Sequence, residues 1–207
     1  MDVENMLRSM ANIYAAMTSY ADTGEVTTTF TKTGNVMHTP FSTLYRNPSL
    51  FRFDCARPHP YAPLSHIVTQ HVVGSDGAST YSRRKKYNEL ETANSVEKNL
   101  SSAIASAAPY SHGAVHTIAR LLMPSDTDGL SILDLQNFEI KEETQLGGVS
   151  CYVIAAQYPN GSNCELWVEK DTPLLRKIIQ TDALARNEEV RANIRVNEPL
   201  ESGLFAA

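Results

Sequence analysis

Apolar residues recur every three or four positions at the start of the chain: Val3, Met6, Leu7, Met10, Ile13, Tyr14 and Met17. That spacing places them on one stripe of an amphipathic helix over residues 2–20. Ala-Asp-Thr-Gly at 21–24 reads as its stop, with Gly24 near the cap or turn. From Glu25 the period becomes two. "EVTTTFTKTG" alternates β-branched and polar residues and predicts a strand that ends in a turn at Gly34-Asn35. "VMHTPFSTLYRNPSLFRFDCAR" predicts two more strands, divided at Asn47-Pro48, with strand-favouring bulk from Thr43, Tyr45, Leu50, Phe51 and Phe53. Pro58, Pro60 and Pro63 mark a loop. Residues 65–90 then predict a strand, a turn at Gly74-Ser75-Asp76-Gly77, and another strand.

Helical spacing returns with Leu90, Ala93, Val96, Leu100 and Ile104, up to Pro109. A second short helix over 113–123 carries Val115, Ile118, Leu121 and Leu122, and Pro124 ends it. A polar loop at 125–129 precedes five strand-like stretches, at 137–143, 149–158, 164–169, 174–181 and 188–195. Asn160-Gly161 is the strongest hairpin signal in the chain. The order is helix, strands, two helices, strands. Short turns between consecutive strands predict an α+β fold with an antiparallel sheet and helices gathered on one face. No internal repeat or low-complexity segment interrupts it, and 207 residues suit one domain over 1–207.

"CELWVEKDTPLLRKI", residues 164–178, contains the only tryptophan. A two-residue turn at Asn160-Gly161 sets Gln157 opposite Cys164 and Trp167 opposite Ile154, on a face shared with Tyr152 and Ala156. The other face carries Val153, Ala155, Leu166 and Val168. Both faces are apolar in mid-hairpin, whereas a sheet with one wet face alternates more cleanly. Two readings stay open: a strand pair packed on both sides, or one face lining a pocket.

Hydrophobic residues make up 42% and charged residues 20% of the chain, as in ordinary folded proteins. A net charge of -5 weighs against a general nucleic-acid binder. Three cysteines leave at least one unpaired within the chain, and no spacing suggests zinc. The expected register puts Cys151 near Lys170, so a Cys151–Cys164 disulfide needs a different pairing. No run approaches the roughly 20 apolar residues of a spanning helix. The first residues lack the basic start and apolar centre of a signal peptide. A cytoplasmic chain, or one that starts after a removed signal, both fit.

His112 and His116 stand four apart, but Gly113 lies between them and no HExxH glutamate accompanies them. They read as solvent-facing histidines beside a helix start. Arg83-Arg84-Lys85-Lys86 alternates faces in a strand and reads as an edge-strand solubility device, or else as a contact for anionic headgroups or an acidic partner. Asp126 and Asp128 in "SDTDG" lack the other ligands of a calcium loop. No GxSxG, P-loop or GxGxxG is present, and Glu139, Glu142 and Glu143 read as strand-surface carboxylates. Nothing here predicts an enzyme, a metal or a cofactor.

Four stretches in order resemble one family. "LWVEKDTPLLRKI" (166–178) resembles a hairpin of the periplasmic lipoprotein-sorting proteins LolA and LolB and their relatives. "IYAAMTSYADTGEV" (13–26) looks like their opening helix and first strand, and "FSTLYRNPSLFRFD" (41–54) is similar to their next strand pair. "VRANIRVNEPLESGLF" (190–205) resembles their closing strand and ending. The resemblance implies a strongly curved antiparallel sheet, an unclosed half-barrel, whose concave face is covered by an N-terminal helix and mid-chain helices. It also implies a noncatalytic protein of the periplasm or cell envelope that binds a lipid, acyl chain or lipoprotein in an apolar cavity. The expected liners are Trp167, Ile154, Phe51, Phe53, Leu100 and Ile118. The alternative it implies is an RseB-like regulatory protein that engages an envelope protein or peptide. The sorting carriers' loop and arginine features have no counterpart residue by residue, so the likeness is to uncharacterised envelope members.

Overall fold

The computed structural model describes residues 2–86, 93–129 and 131–206. Helix α1 (Val3–Ala15) is followed by strands β1 (Ser19–Phe30), β2 (Val36–Arg46), β3 (Leu50–Pro58), β4 (Val68–Ser75), β5 (Thr80–Lys86) and β6 (Ala93–Glu97). Helices α2 (Leu100–Ser111) and α3 (Ala114–Leu122) come next, then β7 (Gln136–Leu146), β8 (Val149–Gln157), β9 (Asn163–Glu169), β10 (Leu175–Thr181) and β11 (Ala185–Val196). All eleven strands form one antiparallel sheet, ordered β6-β5-β4-β3-β2-β1-β11-β10-β9-β8-β7. The first and last strands of the chain therefore pair at its centre, and β6 and β7 form its edges. The sheet does not close into a barrel. The three α-helices pack against one face, as expected from the sequence.

Strand alternation decides which residues meet the helices. On β3, Phe51, Phe53 and Cys55 point inward, and on β2 Phe41 and Tyr45 do the same. Leu7, Met10 and Tyr14 of α1 join them, and the Leu175 N–H donates to the Tyr14 hydroxyl at 3.1 Å. That bond fixes α1 to β10. Asp2 caps α1 by accepting from the Glu4 N–H. At the convex face a smaller cluster of Ala21, Leu200 and Phe205 holds the C-terminal segment down, with Tyr81 donating to the Phe205 carbonyl at 3.0 Å.

Several boundaries differ from the sequence reading. α1 ends at Ala15, and Tyr20 to Gly24 belong to β1. The 21–24 stretch is thus not a turn. The side-chain oxygen of Asn197 accepts the Thr18 N–H at 2.8 Å and helps turn the chain out of the helix. The helix expected from Leu90 begins only after Asn99, which caps α2 through the Ser102 N–H. Residues 93–97 are strand β6, paired with β5, and Val96 is 85% exposed, so its helical spacing from Leu100 was coincidental. Leu90 lies outside the described residues. Pro109 sits inside the last turn of α2, which runs on to Ser111.

The hairpin register is also shifted by one residue. The Tyr158 N–H donates to the Ser162 carbonyl, which closes a loop one residue longer than the expected two, with Gly161 at φ +86°. Val153 then lies opposite Trp167, and Ile154 opposite Leu166. A one-residue slip exchanges the faces of a strand's partners. Cys151 pairs with Glu169 and Cys164 with Ala156, so the two cysteines point to opposite faces. All three cysteines are free and buried.

Candidate functional site

Five of the six expected liners meet in one core. Phe51, Phe53 and Ile154 are fully buried, Ile118 nearly so, and Leu100 lies at the margin, all in the same cluster. Phe53 stacks on Phe41 with ring centroids 5.6 Å apart. These side chains fill the space between sheet and helices rather than framing an open hollow. Leu100 and Met123 also border a hollow of about 310 Å³ whose other walls, including Ser49, Asn99, Asp126 and Asp128, are polar.

Trp167 is elsewhere. Its neighbours Leu166 and Val168 enter the core, so Trp167 points to the convex face. Lys177, its partner on β10, sets its ammonium 4.6 Å from the indole centroid and pairs with Glu188 at 2.6 Å. The expectation that Trp167 lines the space beneath the helices is overturned by this register.

An open apolar groove lies instead between α1 and the β7 edge. Leu7 and Ala11 of α1 form one wall, and Leu133, Leu135 and Phe138 form the other, with Glu4, Arg8 and Asn12 at the rim. Its volume is about 640 Å³, within the range of small-molecule sites. Leu133 remains 44% exposed. Two local devices position the outer wall. Ser131 and Asp134 close a reciprocal cap, in which the Leu133 N–H donates to Ser131 and the Ser131 N–H to Asp134. The β7–β8 register then shifts between Gln136 and Glu139, where Asn137 adopts φ 57°. Such a bulge re-aims a side chain, here Phe138 toward the core's edge.

The centre of the sheet conceals a charged cluster that the sequence reading missed. Arg191 on β11 donates through Nε to Glu189 at 2.6 Å, through Nη1 to Asp22 at 2.5 Å, and through Nη2 to the Ala114 carbonyl of α3 at 2.8 Å. Thr117 of α3 donates to Glu189 at 2.9 Å, and the Tyr20 hydroxyl to Asp22 at 2.6 Å. The guanidinium also lies 4.8 Å from the Phe41 ring centroid. Burial pushes the Glu189 carboxyl up, against the pull of Arg191. The bonds from Arg191 to the Ala114 carbonyl and from Thr117 to Glu189 tie α3 to the sheet, while Asp22 Oδ1 is buried without a partner among the described residues. The signal was masked because Glu189 and Arg191 flank a more exposed Val190, the reverse of an ordinary strand.

The histidines are less exposed than expected. His112 occupies the left-handed cap of α2, and both it and His116 are half-buried. Burial, reinforced by Arg57, lowers His112 to about 4, and burial with Arg84 lowers His71 to about 4. His116 is lowered in the same way, beside Arg120. These rings stay neutral in the folded chain, whereas in the unfolded chain they take up protons as pH drops through about 6.5. The unfolded chain binds more protons between about 6.5 and 4, so stability falls as pH falls through that window. Glu189, raised, works in the opposite direction. The expected result is a melting temperature that declines from pH 7 to pH 4.5 in differential scanning calorimetry; a flat or rising profile would contradict the burial of these rings.

The β5 basic run is not at an edge, since β6 lies outside it. Arg84 donates to the Tyr110 hydroxyl at 2.8 Å, and Arg83 lies over Tyr81 on the other face. No described helix is long and apolar enough to cross a membrane.

An unclosed antiparallel half-barrel with its helices on one side is the architecture that the resemblance implied. Among solved structures, the chain matches the lipoprotein LppX of Mycobacterium tuberculosis at 13% identity and a TM-score of 0.55, covering 97% of each chain. It matches LprF of Mycobacterium bovis at 9% identity and a TM-score of 0.54, over 96% of this chain and 94% of that one. A conserved protein of Thermus thermophilus matches at 9% identity and a TM-score of 0.51, over 99% of this chain and 93% of that one. No protein-family model matches the chain. No curated sequence does either.

Proposed function

We propose that the chain is a noncatalytic binding protein of the bacterial cell envelope that takes an acyl chain of a lipid or lipoprotein into the groove between α1 and β7. The observation that carries this reading is the groove itself, about 640 Å³ with walls from Leu7, Ala11, Leu133, Leu135 and Phe138. Its physics is desolvation: each buried methylene contributes about 0.8 kcal/mol, so a chain of modest length binds without a polar anchor. The envelope setting draws support from the shared fold with LppX, itself a lipoprotein, and from the sequence resemblance. Phe51, Phe53, Ile154, Leu100 and Ile118 belong to the core between sheet and helices, and none of them lines the groove.

The regulatory alternative has one feature in its favour. β7 is a long edge strand, and an exposed edge can accept a strand from a partner. Two register shifts and the charges of Glu139, Lys141, Glu142 and Glu143 oppose this, because bulges and charges are how edges avoid pairing. The acyl reading is therefore preferred.

Leu133→Glu and Phe138→Glu place a carboxylate on the groove wall, which a hydrocarbon guest must then desolvate. Each is expected to weaken a fluorescent fatty-acid probe by about tenfold or more, roughly 1.4 kcal/mol. Trp167→Ala is expected to leave probe affinity unchanged, because the indole is on the other face. Equal effects from all three variants, or none from the groove pair, would remove the assignment.

A further inference from the structure

Another hollow, of about 330 Å³, lies under α2 at the β4–β6 end of the sheet, and none of the groove residues contributes to it. Its walls are His71, Ser82, Arg84, Ser95, Glu97, Ser106 and Tyr110. His71 and Ser82 are 3% and 7% exposed, so the floor is buried and polar. Proton accounting along the floor fixes the roles. Ser106 has one hydroxyl proton, and it goes to the Ala103 carbonyl at 2.7 Å, an atom that can only accept. Ser82, 3.0 Å away, must then donate to Ser106 and accept from His71 Nε2 at 2.8 Å. This makes His71 the Nε2–H tautomer, and leaves its buried Nδ1 an acceptor without a donor among the described residues. The same assignment aims the Ser82 proton away from His71, so the pair is not a nucleophile with its base.

The rim carries one charge of each sign, and the two do not pair. Arg84 spends Nη1 on Tyr110, and its other N–H groups have no partner among the described residues. Glu97 accepts from Ser95 at 2.6 Å through Oε1, and its other oxygen has no partner among the described residues. A site with separated, half-used opposite charges over a floor of hydroxyls suits a guest that carries both charges. A simple anion would meet Glu97 and a simple cation would meet Arg84, each at a cost in repulsion.

We propose that this hollow binds a small zwitterionic group, its anion on Arg84 and its ammonium on Glu97, with the serine oxygens accepting from the ammonium and the Tyr110 hydroxyl, whose own proton is free, donating to the anion. Phosphoethanolamine, free or as a lipid headgroup, has this chemistry. The inference stands independently of the acyl groove at the other edge of the sheet.

Calorimetric titration of the full chain with O-phosphoethanolamine is the test. The expected result is saturable 1:1 binding, with inorganic phosphate and ethanolamine each at least about tenfold weaker. Arg84→Gln and Glu97→Gln should each weaken it by about tenfold, with the melting temperature and the fatty-acid probe affinity unchanged. Vesicles distinguish the source: co-sedimentation with phosphatidylethanolamine and not with phosphatidylglycerol assigns a lipid headgroup, and binding of the soluble compound alone assigns a free solute. No saturable binding in either form, or binding of phosphate as tight as that of the zwitterion, overturns the proposal.

Discussion

Replacing Arg191 with methionine is expected to cost about 3–5 kcal/mol of stability, read as a shift in the urea midpoint at pH 7. The side chain is 1% exposed and serves Asp22, Glu189 and the Ala114 carbonyl at once. Its removal leaves two buried carboxylates without their counter-charge, and an unpaired buried charge costs far more than the pair contributed. Arg191→Lys should recover only part of the loss, because one ammonium cannot span acceptors on β1, β11 and α3 with the reach of a planar fork. Thr117→Val removes a single hydroxyl donor to Glu189 and should cost only about 1 kcal/mol. A methionine variant as stable as the parent would mean that the cluster does not bind α3 to the sheet.

Gly24→Ala is expected to be nearly as damaging, at about 3 kcal/mol or more. A Cβ at Gly24 would stand 2.3 Å from Phe41 Cζ and 2.4 Å from the Val190 carbonyl oxygen. The ring could swing aside, but the carbonyl belongs to the central β11 strand and cannot. Thermal melts of Gly24→Ala with and without Phe41→Leu separate these causes. The second substitution should not restore stability, since the backbone contact remains; full rescue would place the whole clash on the ring.

Gly24 also shows what sequence alone could and could not reveal. In "SYADTGEV" the residues Ala-Asp-Thr-Gly carry every mark of a helix stop, yet they run through the middle of β1. Asp22 is drawn inward at a shift in the β1–β11 register to meet Arg191, and Gly24 is small because Phe41 lies across it. Both facts depend on strands some 170 and 20 residues away, which no local pattern encodes. Strand periods and turn residues did place β2, β3, β4, β5 and the five later strands to within a few positions, because those signals are local. The hairpin at Asn160-Gly161 was recognised, but one extra loop residue reversed the face of Trp167. The groove was missed for a related reason: Leu133, Leu135 and Phe138 follow no period, and a capped 3₁₀ turn and a bulge bring them together. Phe51, Phe53 and Ile154 are expected as liners of a cavity, but whether such apolar residues fill a core or border a hollow depends on the packing around them, which no strand period encodes.

Photo-crosslinking with a diazirine fatty acid, followed by peptide mapping, tests most directly where an oily guest sits. Adducts are expected on α1 and on the segment from Leu133 to Phe138, reduced by Leu133→Glu and absent from the convex face around Trp167. Adducts confined to the convex face, or none above an unlabelled competitor's background, would contradict the groove assignment.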